Sequence, residues 1–235
     1  MSKKSILIID DLHPYFMDEM NQTTEYICDY QPNIERTAIL EIISKYEGLV
    51  VRSKTPIDYE LLHKAKNLRW IGRAGAGVEN IDLEYAEKAG IKVIAVPEGN
   101  RDAVAEHAIA LILALLNHIP QGNNEVKNWI WDREANRGVE LSALKVGIIG
   151  FGNTGSKLAE KLVGFGCEIF AYDKNLKGFG NSSVKEVSLA ELKYEVDLLS
   201  LHIPLEGGNK NLVDDNYLKE FRKNIYFFNL SWGGI

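Results

Sequence analysis

Val146-Gly147-Ile148-Ile149-Gly150-Phe151-Gly152-Asn153-Thr154-Gly155 is an apolar run that enters three glycines in G-x-G-x-x-G spacing, and a helical pattern continues to Phe165. Each glycine has its own physical task. Gly150 makes a tight turn, Gly152 lets a pyrophosphate approach the backbone, and Gly155 permits close packing of helix on strand. Such a strand-turn-helix aims free amides at one point, where the helix dipole favours negative charge. Asp173 stands 18 residues after Gly155, at the end of a second apolar run, Glu168–Tyr172. A carboxylate there can accept hydrogen bonds from ribose hydroxyls, so the segment reads as a dinucleotide site. The alternative is a purely structural turn in which Asp173 caps a loop. Asp173 would repel a 2′-phosphate, and its neighbours offer Lys174 and Lys177 but no arginine, so NAD is favoured over NADP.

Working outward, short β-rich runs alternate with helical patterns, as in parallel sheets covered by helices. The first half offers strands at Ile6–Ile9, Tyr26–Cys28, Leu49–Val51, Arg69–Gly72 and Val93–Val96, with amphipathic stretches at Ile34–Ile43, Ile57–Ala65 and Leu83–Ala89. Asp82 and Gly90 fit the N-cap and the C′ glycine of the last stretch. Ala103 to Ile119 predicts one long apolar helix stopped by Pro120. The polar stretch Gln121–Gly138 after it, carrying Trp129 and Trp131, reads as a junction. A second series then starts: strands at Lys145–Ile149, Glu168–Tyr172, Leu198–His202 and Tyr226–Asn229, with helices at Thr154–Phe165, Leu189–Leu192 and Asn216–Phe221. Two α/β domains follow.

Hydrophobic residues make up 46% and charged residues 26% of the 235, a globular balance that excludes a disordered tail, a fibrous repeat and a disulfide-stapled miniprotein. Two distant cysteines, Cys28 and Cys167, support neither a disulfide framework nor a metal cluster and fit a reducing compartment. Lys plus Arg is 27 against 33 Asp plus Glu, a net charge of −6 with no basic run, which argues against nucleic acid as a partner. Lys3 and Lys4 precede an apolar run too short for a signal peptide. Ala108–Leu116, read as a buried helix, is too short to cross a bilayer. The expectation is a cytoplasmic protein with no membrane partner.

A second candidate site lies in Arg73-Ala74-Gly75-Ala76-Gly77-Val78-Glu79-Asn80. Small residues after a strand allow a nest of amides for a carboxylate, and Arg73 adds charge. Arg52 also ends a strand, so both arginines should project from the ligand-binding edge of one sheet. A glycine-rich turn with two solvated arginines is the plain alternative.

Taken with Leu49–Thr55, Trp70–Asp82, Pro97–Asn100, Ala105-Glu106, Leu201-His202-Ile203-Pro204-Leu205 and Asn229-Leu230-Ser231-Trp232-Gly233, the glycine motif makes the chain resemble the D-isomer-specific 2-hydroxyacid dehydrogenases, most nearly the branch acting on 3-phosphoglycerate in serine biosynthesis. The resemblance implies a flavodoxin-like substrate domain over residues 1–98 and an NAD-binding Rossmann domain over 99–235, both with parallel sheets and the second incomplete. It also implies that Arg52, Arg73, Gly75, Ala76, Gly77 and Asn100 hold a small carboxylate, phosphorylated or not. Ala76 would lie beside the nicotinamide. Asn153 and Thr154 would contact the pyrophosphate, and His202, Ile203, Pro204 and Leu230 would line the nucleotide. Family members are commonly homodimers joined through the nucleotide domain, with a segment like Asn128–Leu141.

Two departures stand out. Trp232 occupies the slot of the family's catalytic arginine, and an indole cannot make the bidentate charge-assisted bond of a guanidinium. The family's acid/base histidine and its orienting glutamate fall beyond Ile235. As written, the chain is expected to be a truncated or degenerated member without dehydrogenase activity, or else an inactive NAD-binding paralogue. His107, next to Glu106, is better read as structural than as a replacement base. Asp10-Asp11 would suit a phosphoacceptor receiver domain, but such a domain needs an aspartate where this chain has Arg52.

Overall fold

Among the described residues ten strands pair in parallel to form two five-stranded sheets, one in each of two units, Met1–Gly99 and Asn100–Ile235. The computed structural model describes residues 4–205 and 208–235, so Lys3 of the N-terminal basic pair lies outside the described residues. In the first unit the order is β1 (Lys4–Ile8), α1 (Pro14–Gln22), β2 (Tyr26–Tyr30), α2 (Arg36–Ile42), β3 (Gly48–Val51), α3 (Tyr59–Lys64), β4 (Trp70–Arg73), α4 (Leu83–Lys88) and β5 (Lys92–Ala95). The sheet runs β2-β1-β3-β4-β5, the flavodoxin-like arrangement. One face buries Leu7, Ile9, Leu49, Val51 and Ile71 against Ile39, Leu61 and Leu62. The other buries Ile6, Ile8 and Val50 under Phe16, Met17 and Met20.

The second unit contains α5 (Arg101–Leu116), α6 (Ile119–Lys127), β6 (Lys145–Ile149), α7 (Asn153–Leu162), β7 (Glu168–Tyr172), β8 (Val184–Glu186), α8 (Leu189–Glu195), β9 (Leu198–Leu201), α9 (Asp215–Lys219) and β10 (Tyr226–Asn229). Its sheet runs β10-β9-β6-β7-β8. Counted from β6 this is 3-2-1-4-5, the Rossmann order. Val146 and Ile148 pack against Ala105, Ala108, Ile112, Leu158 and Leu162 on one face. Ile149, Leu199 and Leu201 pack against Leu192, Tyr217 and Phe221 on the other.

Three features differ from the sequence expectations. The long helix does not end at Pro120: α5 stops at Leu116, His118 adopts a left-handed φ of 51°, and Pro120 sits in the first turn of α6. Proline is compatible with a first turn, where the missing N–H has no intrahelical partner. The two helices bend by 60° at that break, so part of the stretch read as a junction is helical. Nor is α5 buried all round. Ala105, Ala108, Ile112 and Leu116 are inside, whereas Leu111 and Leu115 are exposed. Finally, α1 and β8 escape a pattern search because α1 buries no residue and β8 is a three-residue edge strand. Asp82 caps α4 by accepting the Tyr85 N–H, and Gly90 takes φ 71°, as expected. Among the described residues no single helix is long and apolar enough to cross a membrane.

Candidate functional site

In the second unit the site forms where the chain leaves the central strand β6. Beyond Ile149 the parallel pairing runs one residue further on both sides: the Gly150 N–H donates to Tyr172 O (2.9 Å) and the His202 N–H to Ile149 O (2.8 Å). The loops after β6, β7 and β9 therefore open at one sheet edge, with β7 and β9 on opposite sides of β6. That is the topological switch point where doubly wound sheets collect ligands.

The three glycines divide by what a side chain would meet. Gly150 has φ 93°, and a Cβ there would lie 2.3 Å from His202 O. A Cβ on Gly155 would lie 2.0 Å from Gly150 O. Both glycines are demanded by the chain itself. Gly152 is extended rather than left-handed, and its Cβ would meet nothing within 4 Å. The space over Gly152 is what a pyrophosphate lying against the backbone would fill. Gly152 is also the N-cap of the ten-residue helix α7 and makes no side-chain cap bond, so the first-turn amides at Asn153, Thr154 and Gly155 point outward with the positive end of the dipole. The residues present thus fit a dinucleotide.

Asp173 follows β7 and ties the loop together. Its Oδ2 accepts the Phe151 N–H (2.7 Å), while Oδ1 accepts those of Asn175 (2.8 Å) and Leu176 (2.9 Å). Burial opposes ionisation of Asp173, but the three amides, with Lys177 nearby, outweigh it and hold the carboxyl below the ordinary range. A charged acceptor is thus fixed at the end of the second strand. His202 bridges the other side, Nε2 lying 2.9 Å from Ser200 Oγ and Nδ1 3.2 Å from Thr154 Oγ1. Burial pushes its pKa from 6.5 down to about 4, so the imidazole is neutral at neutral pH and is no acid/base group there. Ile203 is half-buried and its N–H donates to Ser231 Oγ (2.8 Å); Leu230 packs on the core and its N–H donates to Leu201 O; Pro204 is exposed. Trp232 lies on the same β10 loop, half exposed, its carbonyl accepting from Asn229 Nδ2 (3.1 Å). Asn100 caps the start of α5 without a side-chain bond. His107 is exposed rather than packed.

In the first unit, Arg52 and Arg73 emerge from the carboxyl ends of neighbouring strands, Val51 pairing with Arg73. Asp10 Oδ2 accepts the Arg52 amide (2.5 Å), leaving the guanidinium at the rim, 3.4 Å from Asp11 O. Asn80 Nδ2 braces the loop by donating to Arg52 O and Thr55 O. The glycine loop is less open than an amide nest would be. Gly75 N–H is taken by Arg73 O, and the Arg73 guanidinium folds back to donate to Ala74 O (3.1 Å), with Nε buried and unpartnered.

The sequence search missed Ser200 and Ser231. Ser200 is signalled only as the one polar residue in the apolar run Leu198–Leu201, two positions before His202.

Comparison with known proteins fits this geometry. Residues 6–226 match the family model for the D-isomer specific 2-hydroxyacid dehydrogenase catalytic domain. The chain is 34% identical to hydroxypyruvate reductase of Thermotoga maritima, over 92% of this chain and 68% of that protein. It is 32% identical to D-3-phosphoglycerate dehydrogenase of Archaeoglobus fulgidus over 98% of this chain, but spans only 44% of that protein's length. The fold is shared with D-lactate dehydrogenase of Aquifex aeolicus, solved in complex with NAD and lactic acid, at a TM-score of 0.82 and 24% identity, covering 98% of this chain and 70% of that one.

Proposed function

The chain belongs to the D-isomer-specific 2-hydroxyacid dehydrogenases, and from that premise we propose that it binds NAD through residues Gly150–Gly155 and Asp173 and serves the oxidoreduction of a small D-2-hydroxy acid. The observation that carries the reading is Gly152. Nothing in the chain requires a glycine there, and the volume a side chain would take is left open beside the helix N-terminus. When bound, the dinucleotide supplies the acceptor for hydride from a 2-hydroxy acid. The protein's part is to hold the phosphates at the amides of Asn153, Thr154 and Gly155, to accept ribose hydroxyls at Asp173, and to wall the nucleotide with His202, Ile203, Pro204 and Leu230. Asp173 favours NAD because its charge would oppose a 2′-phosphate.

For the acid we propose the rim of the first unit, Arg52, Arg73, Gly75, Ala76 and Gly77. A carboxylate approaching this edge offers the Arg73 guanidinium a better partner than Ala74 O, and 3-phosphoglycerate and hydroxypyruvate are the substrates to try first. Residues 1–98 are then the substrate part and 99–235 the nucleotide part. Calorimetric titration with NAD(H) and NADP(H) tests the cofactor, and equal affinity for the two sinks the assignment to Asp173.

Trp232 favours a second reading, in which the chain binds the nucleotide without turning over a hydroxy acid. A half-exposed indole stands where the family carries a guanidinium, and it cannot polarise a developing carbonyl as a cation does. Following NADH absorbance with D-3-phosphoglycerate, D-lactate and glycerate separates the two, since robust turnover excludes the second.

A further inference from the structure

Ser200 is fully buried in β9, and the only side-chain partner of its hydroxyl among the described residues is Nε2 of His202. A hydroxyl has one hydrogen to give and two lone pairs to offer. A buried hydrogen left without an acceptor is rarer than an idle lone pair, because an oxygen has two lone pairs and one hydrogen, so the arrangement that satisfies Ser200 has its hydroxyl donating to Nε2. That nitrogen is then bare. The imidazole is kept neutral by burial, and a neutral ring with a bare Nε2 carries its proton on Nδ1. Nδ1 faces Thr154 Oγ1 at 3.2 Å, so Nδ1–H donates to the threonine oxygen. The Thr154 hydroxyl hydrogen is left over, and it sits in the first turn of α7 beside the glycine loop.

We propose that Ser200 is a positioning residue for the anion site: it holds His202 in the Nδ1–H form, and this turns the Thr154 hydroxyl into a donor toward a phosphate oxygen at Gly150–Gly155. The proposal rests on the dinucleotide reading of that loop. In the opposite tautomer, Nε2–H would point at Ser200, the Thr154 hydrogen would turn inward to Nδ1, and a phosphate would meet lone pairs instead of a proton. Ser200 would thus govern anion binding without touching the anion, through a chain of two hydrogen bonds that crosses from β9 to α7.

The test uses the full chain labelled with 15N-histidine, with NAD(H) and inorganic pyrophosphate as probes. Heteronuclear NMR of the wild type is expected to show His202 with a bare Nε2 and a protonated Nδ1, and an Nε2–H signature overturns the proposal. Ser200→Ala should lose that signature and bind both probes about three- to tenfold more weakly. Ser200→Thr, which keeps the hydroxyl, should restore the signature and the affinity. Thr154→Val should cost a similar factor, and adding Ser200→Ala to it should cost no more, because Ser200 acts through the threonine hydroxyl. Full additivity in the double variant overturns the relay. If Ser200→Ala does not fold, Ser200→Thr and the wild-type signature decide the tautomer, and Thr154→Val against Thr154→Ser decides the donor. Pyrophosphate that binds and weakens in Ser200→Ala while NAD(H) does not bind at all supports the relay and removes the cofactor reading. A wild type that binds neither probe overturns both.

Discussion

Asp173 Oδ2 takes the Phe151 N–H at 2.7 Å, so the carboxylate at the end of β7 also clasps the turn that leaves β6. One side chain thereby sets the loop and offers the negative charge beside it. Substitutions should separate the two roles. Asp173→Asn keeps an acceptor for Phe151 but turns its NH2 toward the Asn175 and Leu176 N–H groups, so it should lower the melting temperature less than Asp173→Ala does, while NAD(H) loses its preference over NADP(H). Asp173→Ala should lose both. We expect NAD(H) affinity to drop about tenfold or more in each, from loss of charged hydrogen bonds to ribose. Calorimetry with both nucleotides measures the ratio, and an unchanged ratio in Asp173→Asn counts against the assignment.

Gly152 and Gly155 predict opposite outcomes for the same substitution. Gly152→Ala has open space around the new methyl, so it should fold normally and bind dinucleotide poorly. Gly155→Ala drives a methyl into Gly150 O and should lower stability by about 1–3 kcal/mol, as overpacking does. Denaturant melts and binding on the two variants check this. A Gly152→Ala protein with full affinity would show that no phosphate lies there.

Stability should respond to His202 in acid. Its pKa is about 4 in the folded chain against 6.5 ordinarily, so between those values the unfolded state binds the extra proton. The contribution of the neutral ring is complete above pH 6.5, declines as the pH falls, and is spent near pH 4, on the order of 3 kcal/mol in all. His202→Gln removes the titrating group. The difference between wild-type and variant urea melts should therefore shift by that amount from pH 7 to pH 4, and a constant difference would show that the folded imidazole titrates as it does in the unfolded chain.

Arg52 should carry part of the affinity for a hydroxy acid. Its amide is fixed by Asp10 and its guanidinium stands at the rim, so Arg52→Ala should weaken D-3-phosphoglycerate binding more than tenfold, given about 1.5–3 kcal/mol for a charged hydrogen bond. Thermal-shift titration is the readout, and equal protection of wild type and variant would put the acid elsewhere.

Trp129 is 97% and Trp131 84% exposed, and Ile119, Val126 and Ile130 of the same stretch of chain are exposed as well. Self-association should cover them. Trp129→Ser with Trp131→Ser is expected to convert a dimer to a monomer in sedimentation velocity, and a wild type that sediments as a monomer at high concentration would remove this expectation.

The fold was legible wherever an apolar period ran long or a residue had one physical use. Lys145–Ile149 and its glycines announced both a strand and the helix after it, and the Asp82 cap and Gly90 bounded α4 in advance. What stayed hidden was decided by tertiary context. Pro120 reads as a stop in sequence, but the left-handed His118 had already ended α5, so Pro120 falls in a new first turn. The bridge from His202 to Thr154, 48 positions earlier, depends on which strands lie side by side, a fact that local spacing does not contain.

The strand order β10-β9-β6-β7-β8 also sets a timetable for biosynthesis. β6 lies between β7 and β9, and its first residue is tied to Asp197, 52 positions onward, by a hydrogen bond from the Lys145 N–H. At about 5–20 residues per second, a ribosome needs roughly 3–10 s to supply that partner. During that interval one edge of an apolar strand, with Val146 and Ile148 destined for the core, has nothing of its own chain to pair with. Unpaired apolar edges invite pairing with other chains, so the nascent second unit should engage holdase chaperones until residue 201 has emerged.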